Sequence, residues 1–122
     1  MANLSGKQRM ALRNLLGAIV LADGRIQDAE VEAYSRKLCA VMGTPHHAEE
    51  EAAWLLARIG DIRHRMTGPA GRNWLSEQIA ILRTFPYVTD LLDAVWSVAV
   101  SDSDLHPSEA NILDYAFAKW IA

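Results

Sequence analysis

Apolar residues recur three and four positions apart along the whole of this sequence. Leu12, Leu15, Leu16 and Ile19 do so, then Val31, Tyr34, Leu38 and Val41, then Leu55, Ile59, Ile62 and Met66. That spacing gathers side chains on one face of a helix. Strict alternation of β-branched and polar residues is missing, so strands are not expected. The pattern predicts an all-α fold, a single compact domain over residues 1–122 with about six helices.

Punctuation sets the expected boundaries. The first helix spans about 5–22 with Ser5 as N-cap, and the second spans about 28–42 with Gly43 as its stop. Thr44-Pro45 opens a third that runs to about Met66, where Thr67-Gly68-Pro69-Ala70-Gly71 breaks it. The fourth spans about 72–85 and ends before Pro86. The fifth spans about 88–101 and the sixth about 107–121. Short connections favour antiparallel neighbours.

A net charge of −3 gives no overall basic field, so nucleic acid is not an expected partner. The single cysteine, Cys39, lies in an apolar run and reads as a small buried hydrophobe. The opening MANLSGKQRM has no apolar leader, and no apolar run approaches ~18 residues, so no transmembrane segment is expected and the expected location is cytoplasmic.

Two segments match when the sequence is shifted by 79 residues. Ile19 falls on Val98, Asp23 on Asp102, Ile26 on Leu105 and Glu30 on Glu109. The domain is therefore expected to hold two pseudo-repeated helix–acidic loop–helix units. Local physics explains much of the match. The aspartates offer carboxylates to nearby backbone N–H groups, and Ile26 or Leu105 pins the loop to the core. Glu30 and Glu109 fall at the third helical position, where a glutamate completes a capping box. The competing reading is a hard-cation site. Asp23, Asp28, Glu30, Asp102, Asp104 and Glu109 supply only oxygen, which suits calcium or magnesium. Neither segment has the glycine and terminal glutamate of an EF-hand.

"LADGRIQDAEVEAYSRKL" and "AVSDSDLHPSEANILDYAFAKW" resemble the two signature segments of the tellurite-resistance TerB-like family. A related domain opens some membrane-anchored DnaJ-like co-chaperones. The resemblance implies a helical module with internal pseudo-symmetry, acting through protein partners in resistance to tellurite and other chemical stress, including assemblies at the inner face of a membrane. It implies no settled catalysis. It also implies a metal role for Asp23 and Glu30 and for Asp102 and Glu109. The second segment reads Ser101-Asp102-Ser103 where the family pattern has Ala-Asp-Gly.

Other constellations read as ordinary surface chemistry. His46 and His47 precede Glu49, Glu50 and Glu51 at helical spacings, and Asp61 precedes His64, but these pairs fall mostly off the apolar stripe. The stretch from Arg58 to Arg72 carries a local charge of +3, which suits a solvated helix face or a contact with anionic lipid or nucleic acid. No phosphate loop, nucleophile elbow or H-E-x-x-H is present, so catalytic residues are not expected. Trp54 and Trp74 lie off the tidiest stripes and are the expected exposed anchors for a protein partner or a homodimer. A metal sensor or buffer, with the cation itself as the function, is the main competitor to an interaction module.

Overall fold

The computed structural model describes residues 4–22, 26–67, 70–101 and 107–121. Those residues form seven α-helices and no strand. They are α1 (Gly6–Leu21), α2 (Asp28–Met42), α3 (Ala48–Ala57), α4 (Ile59–Thr67), α5 (Gly71–Leu82), α6 (Val88–Ala99) and α7 (Pro107–Ile121), with a short 3₁₀ turn at Pro45–His47.

Helix α1 is the axis of the bundle. Its stripe of Leu12, Leu15, Leu16 and Ile19 is fully buried, and from Leu15 to Leu21 every residue is covered. A helix apolar all round must be enclosed on all sides. Accordingly α1 packs against α2, α4, α5 and α6. Ser5 caps it as expected. Gln8 completes a capping box by accepting the Ser5 N–H at 3.0 Å, while the Ser5 hydroxyl accepts the Gln8 N–H at 3.1 Å. Gly43 ends α2 at φ 71°, the left-handed region that favours glycine.

The third expected helix divides in two. At Arg58 the backbone turns to φ −118° and ψ 15°, and its N–H bonds to Leu55 rather than to the residue four back. The break lets Leu55 of α3 and Ile62 of α4 converge on α1. Their Cδ1 atoms lie 3.0 and 3.1 Å from where a Cβ on Gly17 would sit. In a straight helix these two residues would start about 10 Å apart along the axis. Thr44, the expected cap, makes no side-chain cap, and Pro45–His47 form the 3₁₀ turn. Helix α5 stops at Leu82, short of the Pro86 boundary.

Candidate functional site

Contacts between helices fix the relative directions of α1 and α5, of α5 and α7, and of α2 and α6. Gln8 bonds to Thr84 and Asn14 to Gln78, so α1 and α5 run antiparallel. Ser76 bonds to Tyr115 at 2.7 Å, and Trp120 donates to the Ile79 carbonyl at 3.0 Å, so α5 and α7 run parallel. Lys37 pairs with Asp93 at 3.0 Å, and Val41 shares a shallow groove with Asp90, so α2 and α6 run antiparallel. The ends of α1 and α6 and the starts of α2, α5 and α7 therefore gather at one end of the bundle.

Glu30 stands on the first turn of α2 and Glu109 on the first turn of α7. Both are 0% exposed. A capping glutamate is normally wet, whereas these two carboxylates are inside the fold. Gln27 makes no side-chain cap to α2, so the expected capping box is not formed there. Desolvating a carboxylate is costly unless positive charge or donors compensate it. Asp28, at the first position of the same helix, is exposed on its surface. Asp23, Asp102 and Asp104 lie outside the described residues, as do Leu105 and His106. Among the described residues, no three His, Cys, Asp or Glu side chains gather as a metal site.

Other expectations need correction. Ile26 is 38% exposed, so it does not pin its loop to the core. Trp54 and Trp74 are half-buried, and the exposed tryptophan is Trp96, at 48%. It lies on the outer face of α6, opposite the buried Leu91, Val95 and Val98. His47 approaches Glu50 only at 3.6 Å on an exposed turn. Asp61 pairs with Arg65 at 3.3 Å, not with His64. Arg58, Arg63, Arg65 and Arg72 are all exposed.

A second, part-buried polar group joins α1 to α3, and the sequence pattern does not reveal it. Arg13 of α1 donates to both oxygens of Glu51 on α3, at 2.8 and 2.9 Å. Its guanidinium lies 5.9 Å from the Trp54 ring, and Arg58 covers the same ring at 4.8 Å. The hydrogen bonds to Glu51 hold Arg13 further inside its charged range. Glu51 sits four before the buried Leu55, on the inward face of α3, and that position is the one signal the sequence offers.

Tyr34 is fully buried beside this pair, and its hydroxyl has no hydrogen-bond partner among the described residues. Burial, with the Glu51 charge second, pushes its ionisation well above the ordinary tyrosine range. In the unfolded chain the phenol ionises near pH ~10. Above that pH the unfolded state binds fewer protons than the native state, so stability falls as pH rises. Urea midpoints measured from about pH 8 to 11.5 are expected to drop above pH ~10, and Tyr34→Phe is expected to remove this contribution. The variant should also gain about 1 kcal/mol at neutral pH, because an unsatisfied buried hydroxyl is deleted.

Comparisons with family models, curated proteins and solved structures find no match to this chain. No helix among the described residues is long and apolar enough to cross a membrane.

Proposed function

We propose that the chain is a non-enzymatic, TerB-like helical module that works by contact with a protein partner and holds a divalent cation where α2 and α7 begin. The observation that carries this reading is the complete burial of Glu30 and Glu109, at positions that correspond in the two matched segments. Oxygen-only donors fit calcium, magnesium or manganese better than softer metals. Glu30 and Glu109 would be the protein's own ligands, with Asp23, Asp102 and Asp104 as the further donors. A cation shared by both carboxylates would link the two helix starts. Trp96 is the proposed anchor for the partner, since exposed tryptophans concentrate binding energy. The tellurite and stress-response setting rests on the resemblance of the two segments.

Calorimetric titration of the chelator-treated protein with calcium, magnesium, manganese and zinc tests the cation. One saturable site for a hard cation is expected, with loss of that site in both Glu30→Gln and Glu109→Gln. Flat traces for all four would leave only the scaffold.

A further inference from the structure

A cleft of about 260 Å³ opens between α4, α5 and α7. Its floor is apolar, made by Met66, Leu75, Ile79 and Ile112, and its rim carries Arg72 and Asn111. Among the described residues, no acidic side chain lines it. Arg72 is exposed and makes no ion pair with another described residue, unlike Arg13 and Arg65, which are held by Glu51 and Asp61. It also belongs to the first turn of α5, where the helix dipole adds positive potential. Tyr115, on the same wall, has its hydroxyl fixed by Ser76 at 2.7 Å. The wall is thus held in place by α5–α7 bonds.

Concave apolar surface with a few convergent polar groups is the usual form of a small-molecule site. The guest that matches this one has an apolar body and a single negative head. An apolar cavity of ~150 Å³ accepts a benzene ring, so this volume has room for a chain of about eight to ten carbons. We propose that the α4–α5–α7 cleft binds a medium-chain monocarboxylate, with the chain on the apolar floor and the carboxylate on Arg72 and the Asn111 amide. A neutral guest of the same length would lose the contact with Arg72, and acetate would lose the floor. This site is independent of the cation proposed at the helix starts, and the test runs in chelator so that the two can fail separately.

The test is titration of the full chain with decanoate, decanol and acetate below micellar concentrations, followed by tryptophan fluorescence and calorimetry. Trp120 donates to the carbonyl of the floor residue Ile79, which places a reporter against the site. Decanoate is expected to bind saturably at one site, at least about tenfold tighter than decanol, as a charge-assisted contact supplies, with no response to acetate. Arg72→Gln should bring decanoate down to the decanol level. Asn111→Trp, a change at an exposed rim position, should close the cleft and abolish binding while leaving the thermal midpoint near that of the parent. Equal affinity for decanoate and decanol would overturn the proposal. So would decanoate binding that survives Asn111→Trp, or no saturable binding at all.

Discussion

Gly71→Ala is expected to lower the stability of the domain by about 3 kcal/mol, at the upper end for overpacking a buried site. Gly71 is buried at the start of α5. A Cβ there would fall against the carbonyl oxygen of Met66, with the Met66 carbonyl carbon at 2.7 Å and the Arg65 oxygen at 3.1 Å. These are backbone atoms, so no side chain can rotate away, and the α4–α5 junction must open instead. The same junction carries Met66 into the cleft floor, so the fold and the proposed carboxylate site share this constraint. Gly60 is the internal control. It lies in α4, and a methyl group added there would meet nothing within 4 Å, so Gly60→Ala should gain about 0.5–1 kcal/mol from helix propensity. Urea unfolding of both variants checks the opposite signs.

Arg13→Ala is expected to cost about 3 kcal/mol, the lower end of the range for breaking a buried ion pair. The Arg13 side chain keeps 22% of its exposure and Glu51 only 9%, so the pair is largely but not fully withdrawn from water. Removing Arg13 strands the Glu51 carboxylate, empties space beside Trp54 and leaves Tyr34 beside an uncompensated charge. Arg13→Ala combined with Glu51→Leu should recover much of the loss, because the stranded carboxylate is then gone. A double-mutant cycle in urea checks this. A single variant as stable as the parent would show that the pair is a surface contact of little worth.

Much of this fold is legible in the sequence because local signals and long-range packing agree. Leu12, Leu15, Leu16 and Ile19 announce the buried face of α1, and Gly43 announces the end of α2. The division at Arg58 is not legible. The apolar spacing of Leu55, Ile59 and Ile62 runs straight through it, and only the close approach to Gly17 makes the bend useful. The Arg13–Glu51 pair joins residues 38 apart, beyond the reach of any helical period. Glu30 is visible as a third-position glutamate, but a cap and a buried ligand have the same sequence signature. The spacing does not say whether that carboxylate is wet or buried; packing does, and it puts Glu30 inside. Trp96, the exposed tryptophan, lies one residue beyond the buried Val95 on α6, where a single helical position turns core to surface.

The most direct test of the doubled acidic segments is anomalous diffraction from crystals of the full chain grown with manganese. A single strong peak bonded to carboxylate oxygens of both Glu30 and Glu109 is expected. A manganese position on neither glutamate, or no ordered manganese at all, would contradict the cation site.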